Sequence, residues 1–101
     1  MKILAIIELA AEPPQPVTPG ALIDELQGAW RLYSDGLLRS AYATSSPTRV
    51  VFELEVIDRM HAEEALSRLP LVADGTFRVT YIELLPFVNW EKLFAQRDSG
   101  S

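Results

Sequence analysis

The sequence predicts a small α+β domain built on one antiparallel sheet. Lys2–Leu9 (KILAIIEL) is a short apolar run rich in isoleucine, apolar on both faces, as a central strand must be. Leu37–Ala43 and Arg49–Val56 alternate in character and read as a hairpin. Two segments with apolar residues at helical spacing, after Thr18 and after Asp58, separate these strands from their neighbours.

Each element has its own local reason. Glu12-Pro13-Pro14-Gln15-Pro16 is a stiff loop that ends the first strand. Thr18 supplies a capping hydroxyl and Pro19 a preset first helical position. Leu22, Leu26, Ala29, Trp30 and Tyr33 follow as the expected buried stripe, and Gly36 suits the helix end. In the hairpin, Val50, Phe52, Leu54 and Val56 form one row, and Val51, Glu53 and Glu55 the other. Leu38, Ser40 and Tyr42 point one way, Arg39 and Ala41 the other. With the turn centred on Ser46, Arg39 lies opposite Glu53. Asp58 caps a second helix with Ala62, Ala65, Leu66 and Leu69 as its stripe, and Pro70 ends it. Thr76–Leu85 reads as the fourth strand, closed by Pro86. Val88–Gln96 forms a terminal helix with Trp90, Leu93 and Phe94 on one side. Residues 1–96 make one domain, and 97–101 read as a disordered tail. The order β-α-β-β-α-β is the ferredoxin-like, split βαβ arrangement. Right-handed crossovers place both helices on one sheet face. The other face, with Leu37, Ala41, Val51 and, by register, Val79 and Tyr81, is left open. An apolar open face predicts a dimer of facing sheets, a dimeric α+β barrel.

The chain has 101 residues, is 49% hydrophobic and carries a net charge of −5. That size is one domain with a real core, to which a second subunit adds burial. No Lys/Arg run is present, so nucleic acid and anionic membrane surfaces are not expected partners. The absence of cysteine excludes disulfides, thiol catalysis and cysteine–metal sites, and the single His61 excludes a multi-histidine site within one chain. The apolar start is about ten residues long, half of what a membrane span needs. A cytoplasmic protein is expected.

Four side chains are the candidates for chemistry. Arg39 and Glu53, with Glu55 near, would form a polar cluster in a mainly apolar cavity. A carboxylate there has its pKa raised by desolvation, which suits a general acid or base, or lowered by Arg39. The plainer reading is a cross-strand ion pair, or a dimer contact. Glu83 shares its parity with Tyr81 on the fourth strand, and a tyrosine beside a carboxylate can handle a proton α to a carbonyl. Glu8 is expected at a strand end in water. His61 lies in the first turn of the second helix, beside its stripe, and reads as structural. Trp30, Tyr33 and Tyr42 read as core aromatics. Phe87, Trp90, Leu93 and Phe94 make an apolar chain end that packs on its own subunit or on a partner.

The stretches Trp30-Arg31-Leu32-Tyr33, Gly36-Leu37-Leu38-Arg39, Val50–Val56 and Leu69-Pro70-Leu71 resemble the muconolactone isomerase-like group of the dimeric α+β barrel superfamily. The resemblance covers residues 20–87, and Leu69-Pro70-Leu71 is its most recognisable piece. It implies a homodimer whose sheets enclose a cavity. It also implies proton transfer on small cyclic acids or lactones with no metal or organic cofactor. Arg39 matches a polar family position. The histidine and asparagine that the isomerases carry near the third strand are replaced by Ser46-Pro47-Thr48-Arg49-Val50. The resulting expectation is a cofactor-independent enzyme of isomerase or cyclase type. Glu53 or Glu83 would move the proton, Arg39 would hold an anionic substrate and Tyr81 would donate a hydrogen bond. The alternatives are a non-catalytic ligand-binding or regulatory dimer of the same fold, and an accessory domain with a filled interior.

Overall fold

The computed structural model describes residues 1–99, with side chains described to residue 94. The expected order is present. It runs β1 (Lys2–Leu9), α1 (Pro19–Ser34), β2 (Leu38–Ser45), β3 (Thr48–Glu55), α2 (Arg59–Leu66), a one-turn α3 (Pro70–Ala73), β4 (Phe77–Leu84) and α4 (Trp90–Ser99). The strands form one antiparallel sheet in the order β2-β3-β1-β4. The terminal helix continues past its expected end, through residues 97–99 of the anticipated tail. Residues 100 and 101 lie outside the described part. Among the described residues no helix is long and apolar enough to cross a membrane.

Helices α1 and α2 start on their expected caps. Thr18 Oγ1 accepts the Ala21 N–H at 3.1 Å, and Asp58 Oδ1 accepts the His61 N–H at 2.8 Å. Gly36 ends α1 at φ +82°, a conformation that favours glycine. His61 closes the second cap from the other side, its Nδ1 accepting the Ile57 N–H at 3.0 Å.

The sheet separates two environments. On β1, Ile3, Ala5 and Ile7 are buried towards the helices. They pair across to Leu54, Phe52 and Val50 on β3, and to Glu83, Tyr81 and Val79 on β4. Leu32, Leu38, Val56, Ala62, Leu66 and Leu69 complete the core. On the opposite face Leu4 and Ile6 neighbour Val51, Ile82 and Thr80, and Ile82 is 42% exposed.

One irregularity changes the hairpin from its expected arrangement. Leu38 pairs with Leu54, yet Ser40 pairs with Glu53, so Arg39 is an extra residue in a β-bulge. Beyond the bulge the parity of β2 is inverted. Ala41 and Ala43 join Phe52 and Val50 on the helix side, and Tyr42 joins Val51 on the open face. The expectations that Arg39 opposes Glu53, that Ala41 lies on the open face and that Tyr42 is core are therefore corrected. Tyr42 is 62% exposed. Val79 and Tyr81 are also on the helix side, because register with Ile7 and Ala5 places them there.

α1 is likewise rotated from its expected orientation. Its buried residues are Glu25, Gly28 and Leu32, while Leu22, Leu26, Trp30 and Tyr33 are exposed, Trp30 by 65%. The cause is close approach at Gly28, where a Cβ would lie 2.9 Å from Leu69 Cδ2. Glu25, one turn earlier, reaches α3, its Oε1 accepting the Leu71 N–H at 2.8 Å. Those contacts turn the helix so that its apolar stripe is left partly outside. Leu32→Ala is expected to lower the unfolding free energy by about 3 kcal/mol in urea denaturation. Leu22→Ala, on the stripe that spacing alone marks as buried, is expected to cost under about 1 kcal/mol.

Candidate functional site

The residues singled out from sequence do not converge. Glu53 is on the open face, Glu83 and Tyr81 are on the helix face, and Arg39 is at the bulge on the edge strand β2. Glu53 makes an ion pair with Lys2 at 2.8 Å. That hydrogen-bonded ammonium holds the Glu53 carboxyl below its ordinary value, and Lys2 is raised in return. The partner that lowers Glu53 is thus chiefly Lys2, with Arg39 a small contributor. Glu83 is exposed to solvent. Tyr81 is half-buried, and the Arg59 guanidinium lies 5.5 Å from its ring centroid. Burial, reinforced by the Glu63 charge, raises the Tyr81 phenol. Arg39 borders a shallow pocket of about 420 Å³ with Trp30, Tyr33, Ser34 and Gly36.

The open face is an apolar band closed at both ends by charge pairs. Leu4, Ile6, Val51 and Ile82 form the band. At one end are Lys2–Glu53 and the N-terminal ammonium, 3.4 Å from Glu55. At the other, Glu8 bridges Arg49 at 3.0 Å and Arg78 at 2.9 Å, tying three strands together. Those two guanidiniums, Arg49 foremost, hold Glu8 below its ordinary value. Glu8 is therefore the centre of an ion-pair cluster, where strand-end hydration was expected.

A second concavity lies on the helix side, between α1 and the end of the sheet where β1 finishes. It is a groove of about 350 Å³, bordered by Leu22, Leu26, Ala29, Ala43, Phe52 and Phe77. An adjoining space of about 390 Å³ shares Ile7, Leu22, Val50 and Phe77 with it and runs out to Val17 and Arg49. The inverted parity of β2 makes this groove, since small Ala41 and Ala43 face α1.

Glu25 is the one carboxyl bordering the main groove. It is only 6% exposed, and Leu71 N–H is its only hydrogen-bond partner among the described residues. Burial raises its pKa, against the lowering by the Leu71 amide, and the Asp74 charge adds to the rise. A carboxyl whose pKa is raised by burial beside an apolar groove has the character of a general acid or base. Sequence reasoning missed Glu25 because its stripe, Ala21-Glu25-Gly28-Leu32, holds a charge and a glycine. The helical spacing was the available signal. Among the described residues no cluster of three or more acidic or histidine side chains is placed to hold a metal ion.

No protein-family model matches the chain, and no curated protein matches it.

Two outcomes follow from the Glu25 geometry. Glu25→Ala leaves the Leu71 N–H without its acceptor and is expected to cost about 1–3 kcal/mol in equilibrium unfolding. The raised carboxyl keeps its proton to a higher pH in the folded chain than in the unfolded one, so its contribution to stability falls as pH rises between those two values. Denaturation from the ordinary carboxylate range upward should show that decline in the wild-type chain, and Glu25→Gln should remove it.

Proposed function

We propose that the chain is a ferredoxin-like domain of the muconolactone isomerase-like kind, which pairs with a second copy and binds a small, mostly apolar molecule in the groove under α1. The observation that carries this reading is Glu25, a buried carboxyl with one amide partner, set among apolar side chains beside open space. Such a group orients a ligand through a single polar contact while the walls supply burial. The ligand chemistry that fits is a ring or short chain with one hydroxyl or carbonyl. The element order and the strand order β2-β3-β1-β4 support the fold assignment. A cytoplasmic setting fits a chain without cysteine.

The dimer reading rests on the open face. Its band of Leu4, Ile6, Val51 and Ile82 is apolar, and the carboxylates of Glu8, Glu53 and Glu55 are already paired within the chain. Two such faces meet without leaving a carboxylate uncompensated at the rim. Glu53 and Tyr42 would then stand at the dimer interface.

A second reading makes the domain a cofactor-independent isomerase or cyclase, and the raised pKa of Glu25 favours it. Glu25 would then take the proton-transfer role that spacing assigned to Glu53 or Glu83. The proton leaves one carbon of the ligand for the carboxylate and returns to another, so nothing is consumed.

The test is a thermal-shift panel of small lactones, cyclic carboxylic acids and neutral hydroxylated rings. A neutral or weakly polar ring is expected to raise the Tm of the wild-type chain, and Ala43→Phe, which fills the groove, should abolish the shift. If no compound stabilises the protein, or if the shift survives Ala43→Phe, the groove is not the site. Deuterium uptake from solvent into the bound ligand, lost in Glu25→Gln, would decide for the enzyme. For the dimer, Val51→Glu is expected to weaken association by at least about tenfold in sedimentation experiments.

A further inference from the structure

The groove under α1 contains a carboxyl and no cation to match it. Leu22, Glu25, Leu26 and Ala29 recur at helical spacing and form its roof. Phe52, Phe77 and the alanines of β2 form its floor. Among the residues that border it there is no Lys, Arg or His. Arg49 borders the adjoining space, but Glu8 on the open sheet face holds its guanidinium at 3.0 Å. Glu25 is only 6% exposed, and the Leu71 N–H, at 2.8 Å, engages Oε1 alone. Its Oε2 has no hydrogen-bond partner among the described residues.

This arrangement distinguishes ligands by charge. An ionised carboxylate held out of water by one amide is costly until a counter-ion reaches it. Asp74, on the turn after α3, adds a second negative charge that Glu25 feels. An anionic ligand is repelled by both. A neutral hydroxyl supplies one ordinary hydrogen bond. An ammonium supplies several N–H donors and the missing positive charge, and such charge-assisted bonds are the stronger kind. Folding has already taken the carboxylate out of water, so only the incoming cation is newly desolvated. The rings of Phe52 and Phe77 border the same space, and aromatic faces attract cations.

We propose that the groove takes a primary ammonium with an apolar body, the ammonium on Glu25 Oε2 and the body between α1 and the rings of Phe52 and Phe77. The proposal rests on the groove being a ligand site and specifies the polar group its preferred ligand carries. Glu25 acts as the counter-ion. A hydroxylated ring of the same shape is the weaker ligand.

Calorimetric titration of the wild-type chain with phenethylamine and with phenethyl alcohol isolates the polar group. At about pH 8 the amine is charged, because alkylamines such as the lysine side chain titrate near about 10.4. Salt at about 0.15 M screens the general attraction of a cation to a chain of net charge −5. The amine is expected to bind at least about tenfold more tightly than the alcohol. Glu25→Gln should remove that preference and keep the binding of the alcohol. The wild-type chain also gives a readout that needs no variant. At the midpoint of the Glu25 titration, the amine should move the side-chain carboxyl resonance to its ionised position, and the alcohol should not. Measurable but equal affinities for the two compounds would overturn the amine assignment and leave the groove as a site for neutral ligands. A preference that survives Glu25→Gln, or a carboxyl resonance that ignores the amine, would also overturn it. If neither compound binds the wild-type chain, the groove itself fails as a ligand site and the amine assignment falls with it.

Discussion

The architecture depends on β1 having two apolar faces with different fates. Ile3, Ala5 and Ile7 are buried by the helices, while Leu4 and Ile6 face away from them between β3 and β4. A central strand of this kind commits the chain to a sheet that is covered on one side by its own helices. Every later feature is set relative to that division. The charge clusters of Lys2–Glu53 and Glu8–Arg49–Arg78 frame the open side, and the groove beside Glu25 belongs to the covered side.

Two small departures from regular structure shape the covered side. The extra residue at Arg39 inverts β2, so alanines rather than Tyr42 face α1. Gly28 lets α1 approach Leu69, which brings Glu25 onto the Leu71 amide and swings the larger side chains outward. The first departure makes room under the helix. The second places a carboxyl at the edge of that room and leaves an apolar stripe on the outer surface. Larger side chains would close a space of this size, so the small residues along β2 are what keep it open.

Much of the fold was legible because periodicity and punctuation agreed. β1 runs from Lys2 to Leu9 as its apolar pattern indicates, and the caps at Thr18 and Asp58 begin the helices where their side chains permit. The row Phe52-Leu54-Val56 is core as alternation requires. The site was far less legible. A single inserted residue in β2 cannot be seen in an alternating pattern as short as Leu38–Ala43, and it moved Arg39 and Tyr42 from their expected places. Hydrophobic spacing on α1 marked Trp30 and Tyr33, whereas packing was decided by the smallest side chain, Gly28, and by a hydrogen-bonding acid. Glu53 and Glu83 were separated because the register of β4 against β1 depends on tertiary pairing, which the local pattern of Thr76–Leu85 does not contain.

Glu25 is a buried acid beside an apolar groove, and its titration is the most direct measurement. Its side-chain carboxyl resonance can be followed by carbon-detected NMR across the acid and neutral range, with the Leu71 amide proton observed in parallel. A midpoint above the ordinary glutamate value of about 4.3, shared by the Leu71 amide, is the predicted result. A midpoint at or below that value, or a Leu71 amide that does not follow it, would contradict the account.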